Sequence, residues 1–81
     1  MTKKPHPIDI IVGKNLCRLR NHAKNHAKMT QAELRRRIGV TFQQIQKYEK
    51  ASNRIPASRL WDCALALGVP VETLFTVSLK G

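Results

Sequence analysis

The sequence predicts an all-α fold of five helices, the second and third joined so tightly that they must cross steeply. Three observations predict it. Apolar residues recur at spacings of three and four, two helix-start signatures stand eleven residues apart, and glycine or proline punctuates the periodic stretches. A chain of 81 residues buries one modest core and no second, so function must sit on the surface of that core.

Pro5 and Pro7 disfavour helix before Ile8, and Asp9 is placed to cap the first helix by accepting a backbone N–H. Helix 1 then carries a core stripe of Val12, Leu16, Leu19 and Ala23, with Lys14, Arg18, Lys24 and Lys28 largely off it. Those cations suit either plain solvation or contact with phosphate. At the exit of this helix Asn21-His22-Ala23-Lys24 is repeated at once as Asn25-His26-Ala27-Lys28. Four residues turn a helix through about 400°, so the repeat predicts a continuous helix 1 that is about 6 Å longer and keeps the same face inward.

Met29-Thr30-Gln31-Ala32-Glu33-Leu34 opens helix 2 with a capping box between Thr30 and Glu33 and a hydrophobic staple between Met29 and Leu34. Leu34 and Ile38 form its seam, and Gly39 ends it where a left-handed residue is wanted. Thr41 with Gln44 and Val40 with Ile45 repeat both devices and start helix 3, from Phe42 to about Lys50. So short a connection is that of a helix-turn-helix. Ala51 to Pro56 reads as a polar loop, with Pro56 at the first position of helix 4. That helix spans Ala57 to Leu67, has a stripe of Leu60, Ala64 and Leu67, and is stopped by Gly68 and Pro70. A short helix 5 from Val71 to about Val77 offers Leu74 and Phe75 to the same core. The sequence thus divides into a flexible basic N-terminal arm (1–8), the helical domain (9–77) and a C-terminal tail (78–81).

Net charge is +10, and it is unevenly spread: +6 over residues 1–28, +4 over 29–54 and 0 over 55–81. A basic front suits a polyanion, and a neutral apolar back suits packing or self-association, with Trp61, Leu65 and Phe75 as candidates. Cys17 and Cys63 are too few and too far apart for a zinc ligand set or a redox pair, and read as small buried or half-buried thiols. His22 and His26 have metal-binding spacing on one helical face but no third ligand, so neither metal nor cofactor is expected. Five acids, no serine or cysteine with a base beside it and no glycine-rich phosphate loop argue against an enzyme. The N-terminus is neither a signal peptide nor a spanning segment, so the chain reads as cytoplasmic, with no membrane partner.

Helix 3 exposes Gln43, Gln44, Gln46 and Lys47. Glutamine pairs with the N6 and N7 edge of adenine and lysine reaches O6 and N7 of guanine, so Gln43, Gln44 and Lys47 are candidate base contacts. Phe42 either meets a thymine methyl or packs against Ile45. Gln31 at the start of helix 2, with Asn53 and Arg54 beyond helix 3, is placed for the DNA backbone.

From Val12 to Phe75 the chain resembles the Cro and phage-repressor-type (xenobiotic response element) helix-turn-helix family. The resemblance lies in Val12-Gly13-Lys14-Asn15-Leu16, Leu19-Arg20, Thr30-Gln31-Ala32-Glu33-Leu34, Ile38-Gly39-Val40-Thr41, Ile45 with Tyr48-Glu49, and Leu65-Ala66-Leu67-Gly68-Val69. It implies a five-helix repressor-like domain, base contacts from Gln43, Gln44 and Lys47, and Gln31, Thr41, Asn53 and Arg54 near phosphates. It also implies an Arg20–Glu49 ion pair tying helix 1 to the end of helix 3. Two features depart from the family pattern: Arg35 where relatives carry a small residue, and a spacing from Arg20 to Thr30 longer by one Asn-His-Ala-Lys unit. The expected function is sequence-specific binding of double-stranded DNA by a homodimeric transcriptional regulator, with polymerase or a toxin as possible protein partner. The alternative is an antitoxin or protein-interaction module on the same fold. Four aromatics, mostly at core-like positions, disfavour single-stranded RNA.

Overall fold

Pro7 opens the first helix, at the position where a residue without an N–H costs nothing. In the computed structural model, which describes residues 4–22 and 28–77, α1 spans Pro7–Asn21, α2 Gln31–Ile38, α3 Phe42–Glu49 and α4 Ala57–Leu67. A 3₁₀ turn, Val71–Phe75, follows in place of the fifth α-helix the sequence predicts, and no strand occurs among the described residues. Five residues after Pro70 give too few i→i+4 bonds to favour an α-helix over the tighter turn.

The cap of α1 is His6, whose Nδ1 accepts the Ile8 N–H at 3.0 Å, and not Asp9. At the other end His22 leaves helical geometry (φ −126°, ψ 40°), so α1 stops within the first repeat unit. The expected continuous helix through both units is therefore not formed; residues 23–27, with Ala23 and His26, lie outside the described residues. Two reciprocal contacts pin the ends of that segment. The Met29 N–H donates to the Arg20 carbonyl at 3.0 Å, and Arg20 Nη1 donates to the Met29 carbonyl at 2.9 Å.

Both threonine caps are present: Thr30 Oγ1 accepts from the Glu33 N–H at 3.0 Å and Thr41 Oγ1 from the Gln44 N–H at 3.1 Å. The return half of the Thr30 box is replaced by a contact of the Glu33 carboxylate with Arg37 at 4.0 Å. Gly39 (φ 75°) and Gly68 (φ 71°) end α2 and α4 in the left-handed conformation. Pro56 stands one position earlier than expected, as the N-cap of α4.

Leu16, Leu34, Ile45, Cys63 and Leu74 are fully buried, and Met29, Ile38, Tyr48 and Ile55 close the core around them. Phe75, expected in that core, stays 41% exposed. Arg35 is exposed on α2, so the residue that replaces a small one in the family pattern points its length into solvent while Leu34 and Ile38 make the packing. Two ties are invisible to local pattern. Asn15, buried in α1, donates Nδ2 to the carbonyls of Leu74 (2.7 Å) and Thr76 (2.8 Å), and Arg59 of α4 donates to the last α2 carbonyl, Ile38, at 2.9 Å.

Candidate nucleic-acid interface

The outward ridge of α3 follows from its inward one. Ile45 and Tyr48 are buried, and at about 100° per residue Gln43 and Lys47 each fall within about 20° of the direction opposite Ile45. Both are exposed, whereas Gln44 and Gln46 lie half-buried on the flanks. Phe42, at the helix start, keeps 41% of its surface exposed and leaves an apolar spot beside the ridge. Lys50, the C-cap residue, extends the ridge by a further cation that sequence reasoning does not single out.

What holds this ridge in place is Glu49, at the far end of α3. Its carboxylate accepts from Arg20 Nε at 2.7 Å and Nη2 at 3.1 Å, and from Gln31 Nε2 at 2.8 Å. One side chain thus clamps α3 to both α1 and the start of α2. The pair is nearly dry, with 9% and 7% of the two side chains exposed, and the Glu49 hydrogen bond raises the Arg20 pKa against the opposing effect of burial. A fork of this kind fixes angle as well as distance. Gly13 adds a second constraint: a Cβ there would lie 2.6 Å from the Tyr48 carbonyl oxygen, so α1 and α3 approach as closely as only glycine permits.

The candidate backbone contacts surround the ridge without sharing one role. Gln31 is engaged through its side chain with Glu49, and the backbone amides of Gln31 and Ala32 at the start of α2 have no helical partner. Thr41 accepts the Gln44 N–H and keeps its own hydroxyl hydrogen free to donate. Beyond α3 the N–H groups of Ser52 and Asn53 both return to the Lys47 carbonyl (2.9 and 3.3 Å), and Ala51 takes a positive φ of 59°. Left-handed backbone in a residue with a Cβ costs about 1–2 kcal/mol, which marks this turn as strained. The turn leaves Asn53 and Arg54 exposed, with Arg54 Nε on Asp9 Oδ2 at 3.0 Å.

A family profile described as helix-turn-helix matches residues 19–74. The chain belongs to the Cro/C1-type helix-turn-helix family of DNA-binding domains. An HTH-type transcriptional regulator of Sinorhizobium medicae (strain WSM419) is 51% identical over 73 residues, which are 90% of this chain and 50% of that protein. A transcriptional regulator in the ATPase CF(0) region of Rhodospirillum rubrum is 47% identical over 80 residues, 99% of this chain and 70% of that one. The chain thus spans about half the length of the Sinorhizobium relative. Among solved structures, the restriction-modification controller protein C.AhdI from Aeromonas hydrophila matches with a TM-score of 0.73 at 20% identity, over 86% of this chain and all (100%) of its own. The clp gene regulator ClgR from Corynebacterium glutamicum matches with a TM-score of 0.75 at 20% identity, over 88% and 86% of the two chains. At that identity the likeness is one of fold. The helix-turn-helix family is not an enzymatic one. Among the described residues no helix is long and apolar enough to cross a membrane, and no group of three or more His, Cys, Asp or Glu could hold a metal ion.

Proposed function

We propose that this helix-turn-helix domain regulates transcription by binding double-stranded DNA sequence-specifically, with α3 inserted into the major groove. Gln43, Gln44 and Lys47 face base edges, and Phe42 lies against a thymine methyl. The α2 N-terminus at Gln31, with Thr41, Asn53 and Arg54, faces phosphates. The observation that carries the reading is the Gln43–Lys47 ridge, opposite the core and held at a set angle by the Glu49 clamp. Base readout requires a rigid helix presenting amide and ammonium donors outward, and these residues supply both. Replacing Gln43 or Lys47 by Ala is expected to relax preference at one or two base pairs by ~1–3 kcal/mol, read by competition among single-base operator variants. Uniform weakening across all variants would remove these residues from the reading surface.

One domain makes few contacts, so the functional unit is a homodimer with half-sites about one helical turn apart. Its self-association face is the exposed pair Trp61 (59%) and Leu65 (67%), which border an apolar groove with Val69 and Val71. Phe75 belongs elsewhere, to a cleft shared with Ile8 and Leu60. The same Trp61–Leu65 face supports a second reading, a DNA-binding module that also holds a protein partner such as polymerase or a toxin. Sedimentation of the chain alone separates the two: a dimer dissociated by Leu65→Lys favours self-association, and a monomer at high concentration favours the partner.

A further inference from the structure

The Arg54–Asp9 contact joins the residue after α3 and its turn to the first turn of α1 across an open basin of about 420 Å³. Lys4, His6, Lys50, Ser52 and Arg54 line it, and Asp9 is its one carboxylate among the described residues. The wall formed by the α3–α4 turn is set by the two N–H bonds to the Lys47 carbonyl and by the Ala51 backbone, so it continues directly from the α3 ridge. Three cations and a hydroxyl around one carboxylate make a site for an anion with several acceptor oxygens. Arg54 is 73% exposed, so one face of its guanidinium is held by Asp9 while the rest stands open to solvent. The Asp9 side chain is only 20% exposed, and it sits where a helix N-terminus favours negative charge, so it stays put while its partner is free to leave.

We propose that this basin seats a phosphate of the DNA backbone and that Asp9 is its built-in competitor, holding Arg54 until a phosphate replaces the carboxylate. This role for Asp9 rests on the DNA-binding function proposed for the domain. The exchange is one ion pair for another: the Arg54 guanidinium leaves the Asp9 carboxylate for a phosphate oxygen, and no covalent bond changes. Because Asp9 acts as an intramolecular counterion, it lowers affinity for every duplex alike and leaves base preference untouched. Non-cognate and specific encounters are thereby weakened in the same ratio, so Asp9 sets the strength of binding and not its selectivity.

The test is a double-mutant cycle on the full chain, with a mixed-sequence duplex of about 20 base pairs as probe and affinity measured across a salt series. Asp9→Asn is expected to tighten binding about two- to fivefold, the range set by the strength of an exposed ion pair. The slope of log K against log salt is expected to stay unchanged, because Arg54 reaches the same phosphate in both proteins once bound. In an Arg54→Gln background the same substitution is expected to change neither quantity. An equal gain in both backgrounds would show only a general charge effect, and no gain beside normal wild-type binding would remove Asp9 as a competitor; either result overturns the proposal. Wild-type protein that binds no duplex at low salt would instead overturn the DNA-binding reading itself. Thermal melts accompany each variant, and Asp9→Ser replaces Asp9→Asn if the latter is unfolded.

Discussion

Removing Glu49 by an Ala substitution takes away the acceptor for three hydrogen bonds at 2.7, 2.8 and 3.1 Å from two different helices. The guanidinium left behind is on a side chain only 9% exposed, so water cannot fully replace the lost carboxylate. Breaking a buried pair from one side costs about 3–5 kcal/mol, because the remaining charge is uncompensated. Arg20 keeps its bond to the Met29 carbonyl at 2.9 Å, which puts the expected loss at the lower end, near 3 kcal/mol. For a domain of this size each kcal/mol moves Tm by about 4–8 °C, so Glu49→Ala should melt about 12–24 °C below wild type. Urea unfolding followed by circular dichroism gives the free energy directly. The double substitution Arg20→Met with Glu49→Leu should recover most of the loss, since an apolar pair of similar size carries no orphaned charge. A loss below about 1 kcal/mol in Glu49→Ala, the value of an exposed pair, would refute the claim that this clamp is dry and holds α3.

Gly13→Ala should destabilise by about 1–3 kcal/mol through overpacking, despite the ~1 kcal/mol helix-propensity gain that alanine brings. Stabilisation of the variant in the same urea assay would show that the Tyr48 carbonyl gives way to a Cβ at position 13, which would otherwise lie 2.6 Å from its oxygen. Burial pushes the Cys63 thiol from its ordinary 9.0 up to about 12. The unfolded chain loses that proton first, so the stabilisation is whole below the unfolded value and drains away as pH rises from there toward the folded one, by up to ~1.4 kcal/mol per pH unit. Cys63→Ala should flatten that alkaline decline, and an unchanged pH profile would count against the buried thiol as its source. Deleting residues 25–28 leaves Arg20 and Met29 to meet as before. Halving the intervening segment should therefore change stability by only about 0.6 kcal/mol, in the favourable direction, whereas a variant that no longer unfolds cooperatively would contradict this.

The parts of the fold legible in the sequence are those set by neighbours in the chain. Thr30, Thr41, Gly39 and Gly68 act within one helical turn, and each occupies the cap or left-handed position that its chemistry predicts. Local pattern starts α1 too late because it treats Pro7 as a barrier, when Pro7 stands at the one helical position that tolerates proline. It ends α1 too late as well, since register alone lets a repeat continue a helix, whereas the Arg20–Met29 contacts that turn the chain back are tertiary. The Asn15 bonds to Leu74 and Thr76 span 59 and 61 residues, and the Arg54–Asp9 contact spans 45, beyond any periodicity argument. Within the candidate interface, Gln43 and Lys47 are legible from helical geometry. The engagement of Gln31 with Glu49, the pairing of Arg54 and the place of Lys50 need the packed structure.

Selection of bound sequences from a random duplex library tests the central claim most directly. The α3 ridge should enrich a two-fold symmetric site with half-sites about one helical turn apart, and Lys47→Ala should alter the enriched base at one position of each half-site. Enrichment of no sequence at moderate salt, or of the same site by wild type and Lys47→Ala alike, would contradict the claim that α3 reads the bases.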